Sequence, residues 1–114
     1  MLSDEKIESR MAELRTISAR YSKAYAEKCY IEEFKKSKLA ILSKGYEKKG
    51  YKTAAAQERE ARADPEYLEL LNGLLHSIEE SERLRWQLKL AELAVEIWRT
   101  QESSKRAEKR GYGA

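Results

Sequence analysis

The first 44 residues of the chain contain neither glycine nor proline, the two residue types that most strongly interrupt a helix. All 114 residues include only one proline and five glycines, and a chain of this length suggests a single domain. Charged residues supply 38% of the sequence and hydrophobic residues 41%, which is typical of long helices and too apolar for a disordered chain. We therefore predict an all-α fold with two long helices, arranged as an extended hairpin, and a short connecting helix.

The first helix is predicted over residues 4–43. Apolar side chains recur there at helical spacing, beginning with Ile7, Met11, Leu14, Ile17 and Tyr21. A basic connector follows over residues 44–52, in which Gly45 can close the helix in a left-handed conformation. The predicted helix would be about 60 Å long, so it either breaks or projects and packs against something else.

Two helix starts follow the connector. Thr53 can cap a short helix over residues 53–63, whose alanines favour helix but give weak tertiary anchoring. Asp64-Pro65-Glu66 combines a capping carboxylate, a proline at the first helical position and an acid near the positive end of the helix dipole. The third helix is predicted over residues 65–108.

Two glycines bear on the third helix. At Asn72-Gly73 we favour a continuous helix, in which Gly73 allows a close helix approach, over a turn. Arg110-Gly111-Tyr112 repeats the pattern of Lys44-Gly45-Tyr46 and can end the helix in the same way, within a flexible basic tail over residues 109–114.

The third helix is apolar on two neighbouring faces. One face carries Leu84, Leu88, Ala91, Val95 and Trp98, and the other carries Trp86, Leu90, Leu93 and Ile97. Such a helix needs burial on more than one side. We expect these residues, except the small Ala91, to hold a homo-oligomer together, and the alternative is that the first helix covers one face and the second helix covers the other.

Few residues offer chemistry. The only histidine, His76, and the only cysteine, Cys29, are distant in sequence, so neither a metal site nor an activated thiol is predicted. Glu79, Glu80 and Glu82 point in different directions on a helix and favour a solvated face, or a partner for basic residues of another chain, over a cation site. No glycine loop for phosphate occurs. We predict no enzyme, no cofactor and no small-molecule substrate.

The chain shows no sign of secretion or membrane insertion. One cysteine permits no internal disulfide, and no apolar run resembles a signal peptide or approaches the ~20 residues of a membrane span. We expect a cytoplasmic protein without a membrane partner.

The predicted connector concentrates basic and aromatic residues. They are Lys44, Tyr46, Lys48, Lys49, Tyr51 and Lys52. Cations that follow the backbone and rings that stack on bases commonly bind single-stranded nucleic acid, so we take these six as candidate contacts. Helix capping explains the first Lys-Gly-Tyr copy equally well, but it leaves Gly50, Tyr51 and the surplus lysines unexplained.

Charge is distributed unevenly around the connector. The net charge is only +3, yet residues 30–52 carry seven lysines against three glutamates, and residues 64–82 carry six acids without a lysine or arginine. The connector has the charge to bind a polyanion or the acidic segment of a neighbouring chain.

The segment from Asp64 to Leu71 (DPEYLELL), followed by a long amphipathic helix ending in basic residues, resembles the UvsY-type recombination mediators of bacteriophages. The long first helix and the Tyr46-Glu47-Lys48 connector add to the resemblance, which spans about residues 20–105. It implies a homo-oligomer of helical hairpins that binds single-stranded DNA and helps to load a recombinase in place of a single-strand-binding protein. Only the basic connector would supply DNA contacts.

Two functional hypotheses result. The first is a non-enzymatic, homo-oligomeric accessory protein that binds single-stranded nucleic acid in phage recombination or replication. The second is a helical assembly or adaptor protein, such as a phage morphogenesis factor, that has no nucleic-acid contact.

Overall fold

The computed structural model of the protein describes the backbone of residues 4–113 and the side chains of residues 4–111. It contains three helices: α1 (Asp4–Lys48), α2 (Ala54–Ala63) and α3 (Pro65–Gly113). No strand occurs within residues 4–113. The predicted all-α fold, with a short helix between two long ones, is confirmed.

The end of α1 lies beyond the predicted position. The helix passes through Gly45 and ends at Lys48, so the prediction that Gly45 closes it is wrong. Within residues 4–113, Gly50 alone has a positive φ, of 108°. The long connector predicted over residues 44–52 is therefore confined to residues 49–53, because residues 44–48 form the last turn of α1.

The two starts after the connector have the predicted caps. The N–H of Ala56 donates to Oγ1 of Thr53 at 3.1 Å, which caps α2. The N–H of Glu66 donates to Oδ1 of Asp64 at 2.8 Å, which caps α3 ahead of Pro65. Both contacts satisfy backbone donors that have no partner inside the first helical turn.

The third helix is continuous through Gly73, as predicted, but the role predicted for this glycine is wrong. A Cβ atom built on Gly73 would meet no other atom within 4 Å, so this glycine permits no close helix approach. Gly111 also lies inside α3, which extends beyond residue 108 to Gly113. The predicted helix end at Gly111 is therefore wrong, and the Tyr112 side chain of that predicted motif lies outside the described residues.

Backbone contacts divide the chain into two compact units. The first unit comprises the chain up to Ser22 and from Glu82 onward, and the second comprises Lys23–Ser81. In the first unit, residues 10–20 of α1 line a shallow groove together with residues 87–91 of α3, and Tyr21 lies near Arg85. The two helices therefore run antiparallel within this unit.

The second unit is also built from antiparallel segments of α1 and α3. Ile31 and Phe34 lie near Leu70 and Gly73, whereas Lys38, further along α1, pairs with Glu66 at 3.1 Å. Its buried residues include Ala24, Ala61, Tyr67, Leu74 and Ser81. Ala61 is fully buried, so α2 is anchored by a small side chain rather than by the large apolar residues that it lacks.

The core of the first unit comes from α1 and from one face of α3. Ile7 and Ile17 are buried on α1, and Leu84, Ala91 and Val95 are buried on α3. Trp98 is half-buried beside them, and its indole N–H has no hydrogen-bond partner among the described residues. The predicted alternative is therefore half correct, since α1 covers one apolar face of α3.

Candidate functional site

The second Lys-Gly-Tyr copy, rather than the first, ends α1. The N–H of Gly50 donates to the carbonyl of Glu47 at 3.1 Å, and the N–H of Tyr51 donates to the carbonyl of Tyr46 at 3.2 Å. These are the two hydrogen bonds of a Schellman motif, with glycine at its left-handed position. The positive φ of Gly50 and the lysine at position 49 thus have a local explanation.

The aromatic rings of the motif pack on each other. The ring centroids of Tyr46 and Tyr51 lie 5.6 Å apart at an interplanar angle of 79°, an edge-to-face geometry. This is the apolar contact that commonly accompanies a Schellman ending. Lys49 places its ammonium 4.7 Å from the Tyr46 centroid, and Gln57 donates to the Tyr51 carbonyl at 2.8 Å.

Tyr46 also joins α1 to the start of α3. Its hydroxyl donates to Oδ2 of Asp64 at 2.7 Å, while Oδ1 of the same carboxylate caps α3. The bond to Asp64 raises the pKa of Tyr46 to about 12. That bond, followed by the N–H of Glu66, lowers the pKa of Asp64. The Asp64 carboxylate therefore accepts hydrogen bonds from both α1 and α3.

The lysines of the predicted site are exposed. Lys44, Lys48 and Lys52 have no acidic side chain within 4.0 Å of their ammonium groups in the described part of the chain. Lys44 and Lys48 lie on the last turn of α1, whereas Lys49 and Lys52 lie in the short connector. Cations near the carboxyl end of a helix are favoured by its dipole, so part of this charge has a structural use.

The eight residues predicted at an oligomer interface fall into two groups. Leu84 and Val95 are buried inside the chain, at 2% and 6% exposure, and Leu88 and Trp98 are half-buried on the same face. Leu84 and Val95 are already covered by their own chain and expose almost no side-chain surface to a second chain. Sequence reasoning placed all eight together because periodicity identifies apolar faces but does not say which one the chain covers.

The remaining four form an exposed apolar row. Trp86, Leu90, Leu93 and Ile97, which we call the α3 row, are 56%, 64%, 55% and 51% exposed. Lys89 and Arg85 lie over the Trp86 ring, at 4.8 and 5.3 Å from its centroid. The row thus lies open on a helix whose opposite face is buried against α1.

The other candidates for chemistry remain dispersed. His76 is exposed and lies 3.9 Å from Glu79, and Cys29 is a half-buried free thiol. Within the described residues, no group of three or more histidine, cysteine or acidic side chains could hold a metal ion. No helix in this part of the chain has a stretch apolar and long enough to cross a membrane.

The chain was compared with protein-family models, curated proteins and solved structures. No family model, no curated protein and no solved structure matches the chain.

Proposed function

We propose that the protein is a non-enzymatic helical assembly or adaptor protein that associates through the α3 row. The observation that carries the proposal is the exposure of four large apolar side chains on one face of α3, each more than half exposed. The two faces of this helix have different uses in the proposal. The face with Leu84 and Val95 folds the chain, and the α3 row joins chains together.

The physical support is the cost of leaving such a row in water. Soluble monomeric proteins rarely expose contiguous apolar patches of more than a few hundred Å², and larger patches commonly mark interaction sites. Trp86 strengthens the case, because tryptophan is enriched among the residues that dominate binding energy at interfaces. The single cysteine, which permits no internal disulfide, is consistent with such a role in the cytoplasm.

The test is the mass of the protein in solution over a range of concentrations. We expect wild-type association, and we expect Leu90→Gln to abolish it because the change places a polar group in the middle of the row. Ile41→Gln is the matched control, since Ile41 is 60% exposed on α1 and lies outside the row. A strictly monomeric wild-type protein would refute self-assembly.

The basic end of α1 supports a second candidate function, binding of single-stranded nucleic acid. Its specific support is the set of exposed lysines without acidic partners, Lys44, Lys48 and Lys52, together with Lys49. These ammonium groups would neutralise phosphates. In this proposal Tyr46 and Tyr51 hold the end of α1 rather than stack on bases, because their rings pack on each other. A role as a phage recombination mediator belongs to this candidate.

Binding of a labelled oligonucleotide over a salt series tests the second candidate. Counterion release predicts that affinity falls steeply as salt rises. The triple substitution Lys48→Glu, Lys49→Glu and Lys52→Glu should abolish binding and leave association intact. If association fails instead, the lysines pair with an acidic segment of a neighbouring chain. Lys23→Glu, Lys28→Glu and Lys109→Glu together make the same charge change outside the basic segment over residues 30–52, as a control.

A further inference from the structure

The spacing of the α3 row is that of a coiled-coil seam. Trp86, Leu90, Leu93 and Ile97 follow steps of four, three and four residues, which is the alternation of the a and d positions of a heptad. Leu90 and Ile97 take the a positions, and Trp86 and Leu93 take the d positions. The polar residues Arg83 and Thr100 occupy the next positions, so the apolar seam has four layers.

The two flanks of the seam differ in charge. On one flank, at the g positions, lie Lys89 and Glu96, both exposed. On the other flank, at the e positions, lie Gln87 and Ala94, which carry no charge. The charged flank therefore contains one residue of each sign, separated by one heptad.

This arrangement discriminates between the two ways of pairing identical helices. In a parallel pair, g positions lie opposite e positions, so Lys89 would meet Ala94 and no charge pair would form. In an antiparallel pair the charged flanks face each other. Lys89 of each chain then lies opposite Glu96 of the other, and two salt bridges form across one symmetric interface.

We propose that the α3 row binds a second copy of this chain in antiparallel register, with a two-fold axis between Leu90 and Leu93. The inference rests on the proposed function and names its partner. Leu90 packs on Leu93 of the second copy, and Trp86 packs on Ile97 of the second copy. The largest side chain, Trp86, thus packs on Ile97 at each end of the seam, and leucines form its two central layers.

The surroundings of the row suit this pairing. Lys89 lies over the Trp86 ring, so its ammonium is at the edge of the seam rather than directed away from it. The Glu96 carboxylate pairs with Arg99 at 3.1 Å, in an exposed position where ion pairs contribute little. Lys89 and Glu96 can therefore pair with a second chain without losing a strong contact within their own chain.

The area of the seam sets the expected strength. If each of the eight side chains loses on the order of 100 Å² of surface, the apolar part of the interface buries roughly 800 Å². The flanking side chains add to that area, and the total approaches the lower end of stable interfaces, about 1,200 Å². Association should therefore depend on concentration. Because α3 is already folded against α1, little ordering accompanies it.

The test uses two charge reversals on the full-length chain, measured by sedimentation velocity. In the antiparallel pair, Lys89→Glu places a glutamate opposite Glu96 at both symmetric contacts. Glu96→Lys likewise places a lysine opposite Lys89 at both contacts. Each substitution alone should weaken association by about tenfold or more. An equimolar mixture of the two variants should associate at least as well as wild type, because every pair across the mixed interface is then of opposite charge.

Matched variants complete the test. Glu108→Lys reverses an exposed charge on α3 eleven residues beyond Ile97, outside the seam, and should leave association unchanged. Circular dichroism checks that each variant remains helical, and recovery in the mixture shows that each is folded. If Leu90→Gln abolishes association but the charge reversals have no effect, or if the mixture does not recover, antiparallel pairing is refuted and association through the row stands. If wild type never associates, both proposals are refuted.

Discussion

The hydroxyl of Tyr46 donates a hydrogen bond to Oδ2 of Asp64, eighteen residues away, at 2.7 Å. The two residues belong to two different helix boundaries. Tyr46 supplies the carbonyl that closes the Schellman motif of α1, and Asp64 caps α3 with its other carboxylate oxygen. The short segment between the long helices is thus fixed at both ends by a single side-chain contact.

Removal of the hydroxyl should weaken this connection without changing the helices. Tyr46→Phe keeps the edge-to-face contact with Tyr51 and should lower the thermal unfolding midpoint slightly. Asp64→Ala should lower it further, since that change also removes the cap of α3. Calorimetry of the two variants and of wild type orders the effects, and a Tyr46→Phe midpoint equal to that of wild type would show that the hydroxyl contributes nothing.

The same contact predicts losses of stability at both ends of the pH range. Its hydrogen bond lowers the pKa of Asp64 below the ordinary value of 3.8, so the contribution is present above that value and disappears as acid protonates the folded carboxylate. Tyr46 has its pKa raised from 10.0 to about 12, so the contribution is present below pH 10 and is lost as the pH rises toward 12. Chemical denaturation against pH should show both losses, and Tyr46→Phe should lack the alkaline one.

Sequence periodicity was sufficient to predict the three helices, but it was not sufficient to predict the residues at which they end. Thr53 and Asp64 were identifiable because capping needs a side chain of a particular type at one position. A glycine permits a helix end but does not require one. Both Gly45 and Gly50 follow a lysine and precede a tyrosine, and only the contacts of Tyr46 and Tyr51 decide in favour of Gly50. Such contacts depend on folding.

The two glycines should respond in opposite directions to the same substitution. Gly45 lies inside α1 with open space around it, so Gly45→Ala should raise the free energy of unfolding by about 0.5–1 kcal/mol. Gly50 has φ of 108°, which a side chain opposes, so Gly50→Ala should lower it by about 1–2 kcal/mol. Urea denaturation measures both, and a stabilised Gly50→Ala would argue against the Schellman ending.

The α3 row illustrates a second limit of sequence reasoning. Both apolar faces of α3 have helical spacing, and composition does not distinguish Leu84 from Leu90. Burial distinguishes them, because the position of α1 decides which face is covered. Leu84 is 2% exposed and Leu90 is 64% exposed on the same helix. Substitution of each leucine therefore allows the contribution to folding to be compared with the contribution to association.

Substitution of these two leucines should separate the two properties. Leu84→Ala removes buried methyl groups and should lower the free energy of unfolding by about 2–5 kcal/mol. Leu90→Ala should change the unfolding of the monomer by no more than about 0.5 kcal/mol, because the side chain is largely in water. It should nevertheless weaken association. Denaturation at a concentration below the association range measures the first property, and sedimentation measures the second. A large loss of monomer stability in Leu90→Ala would mean that the row belongs to the fold of the single chain.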